Sequence, residues 1–250
     1  MAEALDWNDT RKDWRGAFIA IRKLLADPAD TVQVFRVMQG LNRGTAARNY
    51  QRLLKTQSGG QIAYTRVELV SRLTDRAWLS QFASGTVGAA YRAFLDRTGF
   101  SADGLADISK QVSRIRDEEH PFAWFGRRER DIHDVSHVLT GYRADDPLGE
   151  LCLVAYTYAQ NTGLGWGFIA LMGTLKSLTQ PHGRVVRRAV WEGYRHGKQA
   201  AWLHGEDIEA LFAEPLEAAR ARMNIARPIA YERAQESVST GASSWLAAAS

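Results

Sequence analysis

The sequence predicts an all-α fold, a single-domain multi-helix bundle. Apolar residues recur at every third or fourth position along most of the chain, which is the spacing of one face of an α-helix. Glycine, proline and small polar residues stand at the ends of these periodic segments, where helices begin and end. No run alternates apolar and polar residues convincingly, so little β-sheet is expected.

The first 44 residues of the chain contain two predicted helices. Apolar residues at helical spacing mark the first over residues 14–25, and Asp27-Pro28 ends it. A second covers residues 32–38 and stops at the turn 42–44.

Further helices follow at shorter intervals. Thr45 can cap one that runs to Leu54, before a break at Gly59-Gly60. Residues 67–73 suit a short helix better than a strand. The turn 84–86 precedes a helix that begins with small residues, which let another helix or a slender ligand approach its backbone. Another helix is predicted over residues 108–115.

Residues 120–125 are predicted to form an aromatic turn before the basic run 127–130. One interpretation is a loop that packs its aromatic rings on the core and leaves its arginines in solvent. The other is an aromatic lip for an apolar ligand, or a membrane-contacting surface with basic anchors. The sequence leaves both open.

The glycine-rich stretch 163–168 lacks the preceding strand and the spacing of a nucleotide-binding loop. It predicts the closely packed start of a helix, which would belong to the core or line a tunnel for a long hydrocarbon.

After a break at residues 179–181 comes a basic helix with one buried and one solvated face. Its basic face either stays in solvent or meets anionic head groups or the acidic head of a substrate. A last helix covers residues 208–223. The predicted domain is residues 1–226, and residues 227–250 form a loosely ordered tail.

Length and composition narrow the class of protein. The chain has 250 residues, 45% of them hydrophobic, which suits one globular domain with a sizeable core. The net charge of +4 is modest, and no nucleic-acid motif accompanies it. The sequence shows no transmembrane run, secretory signal or clear transit peptide, and its one cysteine, Cys152, fits a reducing compartment.

The most specific motif is an H-D-x-x-H cluster formed by His133, Asp134 and His137. On a helix the two histidines lie one turn apart on the same face, with the aspartate on its flank. Together with a second carboxylate, Glu150, they could bind one divalent cation. The alternative is a pair of helix histidines with a solvated aspartate. The cluster is not the H-E-x-x-H motif of zinc peptidases, because Asp134 stands where those enzymes have the glutamate that acts as general base.

The chain resembles the coenzyme Q biosynthesis protein 4 family, which acts in ubiquinone synthesis. The resemblance rests on residues 133–142, HDVSHVLTGY, and 148–150, LGE, with support from residues 85–95, 191–203 and 215–225. On the family pattern, His133, Asp134, His137 and Glu150 match the metal ligands. Twelve residues separate His137 from Glu150, where the family has eleven, so Asp145 and Asp146 are alternative ligands.

The resemblance implies a helical protein that binds a divalent metal, zinc first, with iron or manganese as alternatives. It implies a polyprenyl quinone precursor as ligand in an apolar cavity, contact with other ubiquinone-biosynthesis enzymes, and a peripheral membrane location. That location would be the cytoplasmic side of the inner membrane if the source is bacterial. A homodimer is left open, and no nucleic acid is expected.

The implied activity is a polyprenyl-hydroxybenzoate decarboxylase, a carbon-carbon lyase. It would remove the C1 carboxyl group, either simply or oxidatively with hydroxylation, with His133, Asp134 and His137 as catalytic residues. The alternative is a non-catalytic lipid-binding scaffold that organises the other enzymes. A more distant alternative is a metal-dependent phosphohydrolase, for which His120 and Asp207 are the candidate additional ligands.

Overall fold

The computed structural model describes residues 10–99, 119–180 and 182–240, and its regular elements there are all helices. One isolated bridge, between Thr86 and Pro215, is the extent of β-structure in this part of the chain. The predicted all-α class is therefore confirmed. The predicted apolar lipid-binding cavity stays a prediction. The predicted helix over residues 108–115 lies outside the described residues.

Internal contacts divide the chain into two compact units, each assembled from segments distant in sequence. The described helices of the first unit are α3 (Thr45–Leu53), α4 (Gly59–Thr65), α5 (Leu69–Leu73), α6 (Arg76–Ser80), α7 (Val87–Thr98), α8 (Pro121–Thr140, whose last residue belongs to the second unit), a 3-10 turn (Leu203–Gly205), α12 (Ile208–Ala213) and α13 (Leu216–Arg222).

The second unit combines the N-terminal helical hairpin with the later long helices. Its described elements are α1 (Trp14–Ala26), α2 (Thr31–Leu41), α9 (Pro147–Asn161), α10 (Leu164–Lys176), a 3-10 turn (Ser177–Thr179), α11 (Gly183–Gln199) and α14 (Ile229–Thr240). The predicted domain over residues 1–226 stays a prediction.

Short polar side chains fix where several of these helices begin. Asp13, Asp75, Thr86, Asp146 and Asp207 each accept hydrogen bonds from backbone N–H groups of the first turn that have no partner within the helix. These hydrogen bonds explain why α1 and α7 begin where they do. The predicted starts of both helices are confirmed. The break predicted at residues 59–60 is wrong, because these glycines open α4.

The aromatic segment before the basic run is helical, which corrects the predicted turn. Pro121 begins α8, and the segment continues without a break to Thr140. Trp124 and Phe125 are buried and pack with Leu53 and Trp202 in a core cluster of the first unit. These two rings therefore stabilise the fold and do not form an exposed lip.

Close packing of α9 against α11 defines the centre of the second unit. Gly193 and Gly197 face carbonyl groups of α9, and a Cβ atom added at Gly197 would lie 2.3 Å from the Tyr156 oxygen. The contact is possible because both residues lack a side chain. The glycines of α10 act similarly, since an added Cβ at Gly167 would meet the Tyr158 ring at 2.8 Å. This confirms the predicted close packing of the glycine-rich segment.

Replacing Gly197 with alanine is expected to lower the free energy of unfolding by about 1–3 kcal/mol, since the added methyl group must push the two helices apart. Urea denaturation measures this change. Gly126→Ala in α8 is the matched control, because nothing lies within 4 Å of its added Cβ. It should raise stability by up to about 1 kcal/mol. Equal stability of the Gly197→Ala variant and the parent would contradict this account of the contact.

The chain after Arg227 differs from the predicted loosely ordered tail, because residues Ile229–Thr240 form α14. Tyr231 and Ala234 are buried in the core of the second unit. The Tyr231 hydroxyl donates a hydrogen bond to Asp146 at 2.8 Å. Burial of one apolar face outweighs the polar composition that suggested disorder. Residues 241–250 lie outside the described part.

Candidate metal centre

The two histidines of the motif lie on α8, as predicted, one turn apart. Pro121 stands at the first helical position, where its missing N–H is not needed. At the other end, the Arg220 guanidinium donates hydrogen bonds to the carbonyl groups of Val138 and Leu139. Helix α8 is thus stabilised through the turn that carries His137.

The histidine geometry fits one metal ion. The Nε2 atoms of His133 and His137 are 3.3 Å apart. Two nitrogens bound at 2.0–2.1 Å to one tetrahedral zinc ion would be separated by about 3.3 Å. The pair therefore already has the separation that a shared ion requires.

Glu150 supplies the third donor. It lies in the first turn of α9, and one ligand atom from each of His133, His137 and Glu150 falls within 4.8 Å of the others. Two imidazoles and a carboxylate form a donor set that binds zinc and also suits iron or manganese. The residues present could therefore hold a divalent metal ion.

The alternative carboxylates have other partners. Asp145 forms an ion pair with Arg143, with 2.7 Å between Oδ2 and the guanidinium. Asp146 caps α9 by accepting hydrogen bonds from two backbone N–H groups, and it also accepts one from Tyr231. The extra residue between His137 and Glu150 is thus accommodated in the loop before α9. Glu150 still lies in one donor group with the two histidines.

Asp134 is buried on α8 but is not a member of this donor group. Its assignment as a metal ligand or catalytic residue stays a prediction. His120 and Asp207, the additional ligands of the phosphohydrolase alternative, serve local structure. The His120 Nδ1 atom accepts from the Phe122 N–H, and Asp207 caps α12.

Helix α7 supplies an aromatic wall beside the motif. The Phe94 ring stacks on His137 with a centroid distance of 6.1 Å and an interplanar angle of 15°. One turn earlier, the Tyr91 hydroxyl is buried and has no hydrogen-bond partner within the described residues. Burial, together with the negative charges of Asp134 and Asp131, raises the pKa of Tyr91, so this hydroxyl keeps its proton. The sequence predicts a helix with small residues here, and this segment supports the family resemblance, but the sequence does not place it beside the motif.

Arg128 and Arg130 of the basic run are buried, which fits neither solvated arginines nor basic membrane anchors, the two interpretations left open by the sequence. Arg130 pairs with Asp131 at 2.7 Å, and the side chains are 5% and 1% exposed. Arg128 donates hydrogen bonds to the carbonyl groups of His204 and Glu206. Burial lowers the pKa of Arg128 to about 10. These arginines fix α8 within the first unit.

His204 is a buried titratable group that the sequence did not single out. Burial, with the nearby positive charges of Arg128, Arg52 and His133, lowers the pKa of His204 to about 3. Its imidazole is therefore neutral near pH 7. No periodicity or motif distinguishes it, because its burial depends on contacts far away in the sequence.

The fold and donor set together define a class, an all-helical protein with a His-His-Glu cluster capable of binding a divalent metal. Comparison with known proteins gives the family. The model of the family described as "Coenzyme Q (ubiquinone) biosynthesis protein Coq4" matches residues 19–229. The chain belongs to this family, which confirms the resemblance.

Relatives support the family assignment, and one solved structure shows the same fold. A Nematostella vectensis protein named ubiquinone biosynthesis protein COQ4 homolog, mitochondrial, is 27% identical over 74% of this chain and 88% of its own length. A mitochondrial coq4 protein from Pyrenophora tritici-repentis is 32% identical over 71% of this chain and 58% of its own length. A crystal structure from Nostoc punctiforme, described as a putative ubiquinone biosynthesis protein, has the same fold, with a TM-score of 0.60 at 21% identity. The alignment covers 86% of this chain and 99% of that one.

Proposed function

We propose that this protein acts in ubiquinone biosynthesis and removes the C1 carboxyl group of a polyprenyl-hydroxybenzoate with a metal ion held by His133, His137 and Glu150. Family membership supports the pathway. The observation that carries the metal role is the 3.3 Å separation of the two histidine Nε2 atoms, with Glu150 in the same group.

Three protein donors suit a reactive metal better than a purely structural one, because catalytic zinc sites keep a coordination position for substrate or water. A bound divalent metal would supply Lewis-acid stabilisation of the ring carboxylate or phenolate. Simple decarboxylation breaks the C1–carboxyl bond, releases carbon dioxide and requires a proton at C1. In the oxidative reaction a hydroxyl group takes the place of this proton at C1, which requires an oxidant, and zinc is redox-inert.

The contribution of the chain is to position donors and exclude water. His137 is 3% exposed and stacked on Phe94, so its ring is fixed before any ligand arrives. Asp134 is also buried beside His133. A site with little water strengthens electrostatic interactions with a developing charge.

The polyprenyl tail of the substrate places the reaction at a lipid surface. We therefore propose a peripheral position on a membrane, the cytoplasmic side of the inner membrane in a bacterium, beside other ubiquinone-biosynthesis enzymes. Within the described residues, no helix has the length and hydropathy needed to cross a bilayer.

The test is incubation of zinc-, iron- or manganese-loaded protein with a polyprenyl-hydroxybenzoate, without air and again in air, followed by mass spectrometry. The expected result is a product that lacks the carboxyl group and is absent with His133→Ala. A requirement for air would favour iron or manganese.

Retention of the lipid without turnover under every metal and gas condition would contradict the enzyme and favour the scaffold alternative. Hydrolysis of a phosphate ester by the same preparation, lost in His133→Ala, would favour the phosphohydrolase.

A further inference from the structure

Helix α11 presents a narrow row of cations to solvent. Arg184, Arg188, Arg195 and Lys198 are exposed and, with Trp191, fall within about 80° of the helix circumference. The buried positions of the helix lie on the opposite side and include Val186, Ala189, Val190, Gly193 and Gly197. The row spans about 21 Å at 1.5 Å per residue. Its cations therefore act on the same external surface.

These four cations have no ion pair within the described part of the chain. Glu192 is the acidic residue of α11, and its carboxylate accepts a hydrogen bond from the Ala230 N–H at 2.7 Å. It forms no ion pair with the four cations within the described residues. Some other exposed arginines are paired, as Arg72 is with Glu209 and Arg76 with Asp96. The charge of α11 is thus left for an external anionic partner.

Large apolar side chains accompany this charge. Trp191 is 60% exposed and lies stacked on Tyr194, which in turn stacks on Tyr158 of α9. Leu171, Leu175 and Leu178 are between 45% and 59% exposed. Leu178 lies in the 3-10 turn and the other two leucines lie on α10, and both of these elements pack against α11.

We propose that the α11 row, Arg184, Arg188, Trp191, Arg195 and Lys198, is a docking surface for an anionic lipid bilayer. The cations contact phosphate head groups, and Trp191 with the neighbouring leucines enters the head-group boundary. Cations combined with exposed tryptophan and leucine are the composition that peripheral membrane surfaces use. A nucleic-acid groove would not use the leucines, and a protein interface usually has fewer unpaired charges at its centre. This assignment of the α11 row rests on the proposed function in one respect, which is that the proposed substrate is a lipid located in a bilayer.

The test is cosedimentation of the full chain with phosphatidylcholine vesicles, with and without phosphatidylglycerol, at low and physiological salt. The expected result is binding that requires phosphatidylglycerol and weakens with salt. Arg188→Gln combined with Arg195→Gln should weaken this binding by at least about tenfold, since each cation contributes roughly fivefold. Trp191→Ala in the parent protein should also weaken vesicle binding, without changing the salt dependence of that binding.

The charge-matched control is Arg72→Gln combined with Arg76→Gln, which removes the same two charges from the first unit. Equal loss in both double variants would overturn the proposal, because net charge would then explain binding. Failure of the parent to bind phosphatidylglycerol vesicles would also overturn it, as would binding of single-stranded oligo(dT) or self-association through α11 in place of vesicle binding. Vesicle binding and turnover are separate readouts, so failure of the decarboxylase proposal would leave this result unaffected.

Discussion

Replacing His137 with alanine is expected to weaken zinc binding by at least about 100-fold. His137 supplies one of three donors, and even residues that only support metal ligands are worth about 10–100-fold in affinity. Competition with a chromophoric zinc chelator measures the dissociation constant. The binding of iron and manganese should also weaken, because the same nitrogen ligand is lost.

The matched control for this experiment is His182→Ala, since His182 precedes α11 and lies outside the donor group. It should bind zinc like the parent. Circular dichroism checks that both variants remain helical. An unchanged dissociation constant for His137→Ala would show that the histidine pair does not bind the metal.

Replacing Asp131 with alanine is expected to lower the free energy of unfolding by about 3–5 kcal/mol. Asp131 pairs with Arg130, and its Oδ2 also accepts a hydrogen bond from the Val70 N–H at 3.1 Å. Removing it leaves a buried guanidinium without its carboxylate. Burial raises the pKa of Asp131, and Arg130 opposes that shift.

Urea denaturation measures the loss, and Asp145→Ala is the control. Its pair with Arg143 is solvent-exposed, at 54% and 36%, so its removal should cost less than about 1 kcal/mol. If Asp131→Ala were no more destabilising than Asp145→Ala, the buried pair would not stabilise α8.

Features that depend on neighbouring residues could be predicted from the sequence. The starts of α1 and α7 follow from short polar caps, and the His133–His137 pair follows from helical spacing. The choice among Glu150, Asp145 and Asp146 could not be made, because the twelve residues between His137 and Glu150 include a loop that can close in several ways.

Features that depend on distant residues were missed. Arg128 is buried through carbonyl groups 76 and 78 positions away, so its charge alone suggested a solvated side chain. Arg220 reaches the end of α8 from 81 and 82 positions away, and α14 is ordered through Tyr231 and Asp146. Such partners carry no periodic signal in the sequence.

The most direct measurement is anomalous X-ray diffraction from crystals of zinc-loaded protein, with data collected on both sides of the zinc absorption edge. We expect one peak within about 2.0–2.2 Å of His133 Nε2, His137 Nε2 and a Glu150 oxygen, with a further coordination position open to a ligand. A peak elsewhere, or no peak in crystals of protein saturated with zinc, would contradict the metal centre on which the proposed function depends.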